Sequence, residues 1–153
     1  MKKIILPLVI LIALVSACNN NRTETKTDDK KVVADSLWEQ VMEGHDVGMA
    51  KMSKLEKAQN EANRLIDSIS KLPANLKNAS EPYRVKLDSL VKHLSYADFA
   101  MNKWMEEMNW EAKKMDVEAR INYLKDEKIK VDKMKAAILN SLSEADTLLS
   151  RKF

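Results

Sequence analysis

Tyr83 to Met108 reads YRVKLDSLVKHLSYADFAMNKWMEEM. Tyr83, Leu87, Leu90, Leu94, Ala97, Met101, Trp104 and Met108 follow one another in unbroken alternating steps of four and three. Those steps place one stripe along an α-helix, whereas a half-buried strand would repeat every second residue. Val91, Asp98 and Met105 flank the stripe. A stripe this long is stable only when other helices cover it.

The neighbouring segments supply those helices. Upstream, Pro73 to Pro82 (PANLKNASEP) is the one clear loop, with Pro73 ending an earlier helix, Ser80 able to cap the next and Pro82 in its first turn. Before it, Trp38, Val41, His45, Gly48, Met52, Leu55, Gln59, Ala62, Ile66 and Ile69 alternate in steps of three and four. That heptad seam predicts a helix over 35–72, capped by Asp35 or Ser36 with Glu39 completing a capping box. Downstream, residues 109–116 hold neither glycine nor proline, but Asp116 can cap a run with its own phase through Val117, Ile121, Leu124, Lys128, Val131, Met134, Ile138, Leu142, Ala145 and Leu149. The expected helices are 35–72, 81–111 and 116–150, in an all-α, antiparallel three-helix bundle of coiled-coil-like long helices. The alternative is one helix from Pro82 to Ser150, roughly 100 Å long, in a dimeric helical hairpin where a second chain covers the seam.

Composition agrees. The chain of 153 residues fits one domain; it is 32% charged and 5% aromatic, with two glycines and three prolines, too few turn and β-forming residues for a sheet. The formal charge is +3, but without Lys2 and Lys3 the balance is 24 basic against 23 acidic residues with signs interleaved, which argues against a nucleic-acid partner. No phosphate loop, catalytic triad spacing or zinc pattern is present, and no enzyme is expected.

Residues 1–17 form a separate unit. Lys2 and Lys3 precede the apolar run Ile4 to Val15, too short to span a membrane, and then the small residues Ser16 and Ala17. The string Leu14-Val15-Ser16-Ala17-Cys18 resembles the lipobox of bacterial lipoproteins, with valine where leucine is commoner. The resemblance implies cleavage before Cys18, the one cysteine of the chain, and a lipid on its sulfur. Residues 18–33 are expected to be a flexible tether, since Asn19 to Lys31 has no apolar residue to bury, and 34–153 the bundle. Asn19 is not the aspartate that marks inner-membrane retention in such lipoproteins, and no acidic run follows the cysteine. The implied address is the outer membrane, facing the periplasm.

The chemistry-bearing residues gather near one end. Of the eight methionines beyond Met1, seven (Met42, Met49, Met52, Met101, Met105, Met108 and Met115) fall at the same end of a hairpin whose partners sum to about 153, and Met134 does not. In that register His45 lies level with Met108, Met49 faces Met105, Gly48 faces Trp104 or Met105, and Met52 faces Met101. Thioether sulfur with imidazole is a ligand set for Cu(I), and Trp104 could shield such an ion; a Met/His pair also suits haem between helices. The candidate ligands are His45, Met42, Met49, Met52, Met101, Met105 and Met108, with Trp104 as shield or packing partner. Gly44 and Gly48 flank His45, and each costs a helix about 1 kcal/mol, as though leaving room for something. Against this stands plain packing, with no cofactor: methionine fills irregular gaps, Gly48 accepts the Trp104 ring, and His45 bonds Asp98 or a backbone carbonyl. A Met-lined groove for a peptide is a third use of the same residues. His93 lies off the seam and is expected in solvent. Glu39, Glu43, Glu106, Glu107 and Glu111 cluster near this end with lysines among them, as on a solvated helix face.

Glu39 to Met52 (E-x-V-M-x-x-H-D-x-x-M-x-K-M) and Ala97 to Met105 (A-D-x-x-M-x-x-W-M), with Tyr123-Leu124, Glu127-Lys128, Val131 and Ser141 to Leu149, resemble a set of small helical lipoproteins often labelled "viral A-type inclusion protein repeat". The label carries no activity, and the chain departs from the set at Gly44 and Gly48. The expectation is a lipid-anchored envelope protein, a non-catalytic structural or binding module. Its partners would be a membrane through the anchor, and another envelope protein or a second copy.

Overall fold

The computed structural model describes residues 21–150, and the side chains from Asp28. The signal peptide, the lipobox and Cys18 lie outside the described residues. The elements are α1 (Asn21–Met49), α2 (Met52–Ser70), α3 (Ala74–Glu107), a single 3₁₀ turn (Ala112–Lys114) and α4 (Val117–Leu149). With α1 and α2 nearly continuous, they form an all-α bundle of three rods, and there is no strand among the described residues.

The α3 stripe is the centre of the bundle. Leu87, Leu90, Leu94, Ala97, Met101, Trp104 and Met108 are all buried, and Tyr83 packs at the edge of the core. Across from it, Ala34, Val41, Leu55, Ala62 and Ile69 are buried, and Gly48 falls on the same seven-residue repeat. The first rod runs parallel to α4, since Asp35 meets Arg120, Gly44 meets Val131 and Lys54 meets Asp146. Helix α3 runs against both, with Gln59 bonded to Ser95 at 2.7 Å and Tyr83 Oη to the Leu148 carbonyl at 3.2 Å. The order is up-down-up.

Four features differ from the sequence expectation. Residues 21–33 are helical instead of a loose tether, and neither Asp35 nor Ser36 caps a start. The segment has no glycine or proline, and extending an existing helix adds one hydrogen bond per residue fixed, far cheaper than nucleating a new one. Lys30 ties it laterally to Glu118. Second, the first rod is interrupted at Ala50–Lys51, where Lys51 N–H donates to the Gly48 carbonyl at 2.9 Å in a tightened turn. The break divides the labour: α1 lies chiefly on α4, and α2 chiefly on α3. Third, the loop is only residues 71–73. Helix α3 starts at Ala74 with Pro73 at its N-cap and carries Pro82 within it. The carbonyl that Pro82 cannot serve belongs to Asn78, on an exposed stretch open to solvent.

The turn between α3 and α4 rules out one helix from Pro82 to Ser150. Helix α3 ends at Glu107, short of residue 111, and Met108 is extended. Asp116 caps α4, accepting from the Glu118 N–H at 2.9 Å and the Ala119 N–H at 3.4 Å. Asp116→Ala is expected to cost about 1 kcal/mol, the usual worth of an aspartate N-cap; the urea midpoint of the far-UV signal checks it.

The fourth difference is the face of α4. Arg120, Leu124, Glu127, Val131, Met134, Ile138, Ser141, Ala145 and Leu148 point inward in strict steps of four and three. Arg120, Glu127, Ser141 and Leu148 therefore take the places expected for Ile121, Lys128, Leu142 and Leu149 in that stripe, although Leu142 is buried as well. Glu127, only 2% exposed, is paired with Lys130 Nζ at 2.7 Å, and that bond holds the lysine above its ordinary pKa. Arg120 reaches Asp35 Oδ1 at 2.8 Å, an ionic contact off the hydrogen-bonding direction that leaves Nε without a partner.

Candidate functional site

At the end of the bundle closed by the α3–α4 turn, His45 of α1 lies between two indoles. Its ring centroid is 5.4 Å from that of Trp104, with the planes tilted 34°, and 6.1 Å from that of Trp110, edge-on at 80°. The indoles are 6.0 Å apart and perpendicular, so the three rings close a triangle. Trp104 is buried in α3, whereas Trp110, in the turn, is 49% exposed and forms the outer wall. Trp110 is fixed by its Nε1–H, which donates to the Met105 carbonyl at 3.2 Å.

The polar atoms of this triangle are unevenly satisfied. His45 Nδ1 lies 2.9 Å from Asp46 Oδ1. An ionised carboxylate only accepts, so Nδ1 carries the hydrogen and, in the neutral ring, Nε2 carries the lone pair. Nε2 is buried without a hydrogen-bond partner, and so is Trp104 Nε1. Each such orphan costs about 1–3 kcal/mol.

The methionines are not gathered on one point. A Cβ on Gly48 would lie 2.6 Å from Met101 Cε, 3.2 Å from Ile138 Cδ1 and 3.2 Å from Met134 Sδ. Met134, placed by the sequence at the other end, thus belongs to this one, and Gly48 takes the Met101 methyl where the Trp104 ring or Met105 was expected. The register explains the shift. Below the break Gln59 meets Ser95, as the expected pairing requires; above it Gly48 meets Met101 and His45 meets Trp104, one turn away. Gly44 is similarly filled, since its Cβ would lie 3.0 Å and 3.2 Å from the Val131 methyls. The room beside His45 is therefore occupied by side chains, and no slot for a flat macrocycle opens at either glycine.

Met108 is buried, and its sulfur accepts from Tyr123 Oη at 3.3 Å. Burial raises the Tyr123 pKa against the lowering effect of the Asn109 N–H, keeping the phenol protonated as that donor. Met52 and Met105 pack half-buried against the core, and Met42 is half-buried on α1. Met49 is 42% exposed.

No protein-family model, curated protein or solved structure matches the chain.

Elsewhere the expected residues stand apart. Asp98 bonds Asn102 on its own helix and leaves His45 to Asp46. His93 is exposed as expected, but paired with Glu144 Oε2 at 2.6 Å across a shallow groove lined by Tyr96, Ala137 and Asn140. Glu107 and Glu111 pair with Lys103 and Lys114, and no three His, Cys, Asp or Glu side chains converge on a cation position among the described residues. Sequence reasoning missed Trp110. Its available signal was a third tryptophan six residues after Trp104, in a segment with no stripe of its own.

Proposed function

We propose that this chain is a non-catalytic structural or binding module of the cell envelope, held on a membrane by a lipid on Cys18. The observation that carries the reading is the order of signals at the N-terminus: Lys2-Lys3, the apolar run to Val15, then Ser16-Ala17-Cys18. No helix among the described residues is long and apolar enough to cross a membrane, so in this reading attachment rests on acyl chains. Each buried CH₂ contributes about 0.8 kcal/mol, and stable anchoring takes two anchoring signals, which a diacylated cysteine supplies. Asn19 after the cysteine favours the outer membrane and a periplasm-facing bundle. The helix beginning at Asn21 leads directly into the bundle, which suits a module presented at a membrane surface. A second envelope protein or a second copy is the partner class this reading expects, and the balanced charge gives nucleic acid no footing.

Cys18→Ser tests the anchor. The wild-type chain should enter the detergent-rich phase on cloud-point separation, and the variant should move to the aqueous phase or accumulate with its signal uncut. Unchanged partition of a processed variant overturns the proposal.

A further inference from the structure

The geometry points to a site for a soft monovalent cation, Cu(I), held by His45 Nε2 and the Met49 thioether and enclosed by Trp104 and Trp110. Three observations carry it. The first is the tautomer: Asp46 takes the Nδ1 hydrogen at 2.9 Å and leaves the Nε2 lone pair buried and without a partner. A carboxylate on one ring nitrogen is the usual support of a histidine whose other nitrogen binds a metal. The second is the enclosure. Aromatic faces attract a cation through their quadrupole, and rings centred 5.4 and 6.1 Å from the imidazole limit water at that nitrogen.

The third is the sulfur. Met49 stands four residues beyond His45, a spacing that sets two side chains on one helix face about 5–6 Å apart at Cβ and lets them share an ion. At 42% exposure its side chain can turn toward the imidazole, whereas Met108 is engaged by Tyr123, and Met101 and Met134 pack around Gly48. Thioether with imidazole is soft and selects Cu(I); a hard cation would need converging oxygens, and zinc four ligands. The competing occupant is a water bridging Nε2 and the Trp104 N–H.

The test uses the full chain carrying Cys18→Ser, so that no thiol competes, in detergent under anaerobic reducing conditions. Cu(I) is supplied from a coloured chelator while tryptophan emission is followed. The expected result is capture of one equivalent, with emission quenched to the same endpoint. His45→Gln should abolish capture with helicity retained, Asp46→Asn should weaken it roughly 10- to 100-fold, Met49→Leu should weaken it, and Met134→Leu should leave it unchanged. Asp46 is largely exposed, so its variant stays informative if His45→Gln unfolds. No capture by the parent chain, capture that survives His45→Gln, capture without quenching, or equal uptake of Zn(II) would each overturn the assignment. No capture would leave the bridging water as the occupant. None of these outcomes depends on the lipid anchor.

Discussion

Trp104→Ala should destabilise the bundle by about 3–5 kcal/mol, the cost of truncating a large buried aromatic. Domains of this size have about 5–15 kcal/mol in all, so the loss is a large fraction of the total. The ring is buried in α3, 5.4 Å from His45 and 6.0 Å from Trp110 between centroids, and its removal takes one packing surface from each of them. The void cannot close readily, because Met101 and Met108, one turn away on either side, are already buried and in contact with Gly48 and Tyr123. Trp104→Phe separates volume from polarity. It keeps an aromatic face toward His45 and deletes the orphaned Nε1–H, whose burial costs about 1–3 kcal/mol. The phenylalanine variant should therefore lose far less than the alanine one. Urea unfolding followed at 222 nm measures both. A loss below about 1 kcal/mol for Trp104→Ala would mean that the ring triangle is not packed as described.

Gly48→Leu is the second large effect, and its cause is the opposite, too much volume. The position already has Met101 Cε at 2.6 Å and Ile138 Cδ1 and Met134 Sδ at 3.2 Å from where a Cβ would stand. A leucine adds three further carbons in that space, and overpacking a filled core costs about 1–3 kcal/mol, at the upper end here because α3 and α4 both face the site. The better helix propensity of leucine returns under about 1 kcal/mol. Alanine is milder, since the nearest atom is the terminal methyl of a flexible methionine, which can rotate away. Met101→Ala should partly rescue Gly48→Leu, with a coupling of about 1 kcal/mol or more between the two positions. Thermal unfolding of the single and double variants measures it. Strict additivity would show that Gly48 and Met101 do not meet.

These two sites also show what was legible in the sequence. The α3 stripe could be read in full because every step was three or four and every stripe position from Leu87 to Met108 was apolar or small. Asp116 was legible because a capping side chain acts locally. The register between the first rod and α3 was right at Gln59 and Ser95 and one turn off at His45. The interruption at Ala50–Lys51 has no proline to announce it, and Gly48 alone hints at it. The inward face of α4 was misread for a different reason. Apart from Lys128 the expected run kept to apolar and small residues and let its steps repeat, whereas strict alternation of four and three from Leu124 to Ile138 leads to Arg120 and Ser141 and passes through Glu127. Periodicity outranks polarity when a buried charge has its partner, as Glu127 has Lys130. The candidate site was legible as to His45 and Trp104. The tautomer set by Asp46 and the wall made by Trp110 depend on side-chain directions that spacing does not carry.

The helical start at Asn21 has a mechanical consequence. A loose chain lets its cargo tumble, but a helix transmits direction. From Asn21 to His45 the backbone is a rod of roughly 36 Å at 1.5 Å per residue. Under the lipid anchor proposed at Cys18, the height of each part of the bundle above the lipid would follow its place along this axis. The ring triangle and the α3–α4 turn sit on the near half. The bend at 71–73 and the end of α4 form the far tip, the first surface that anything approaching from across the compartment would meet.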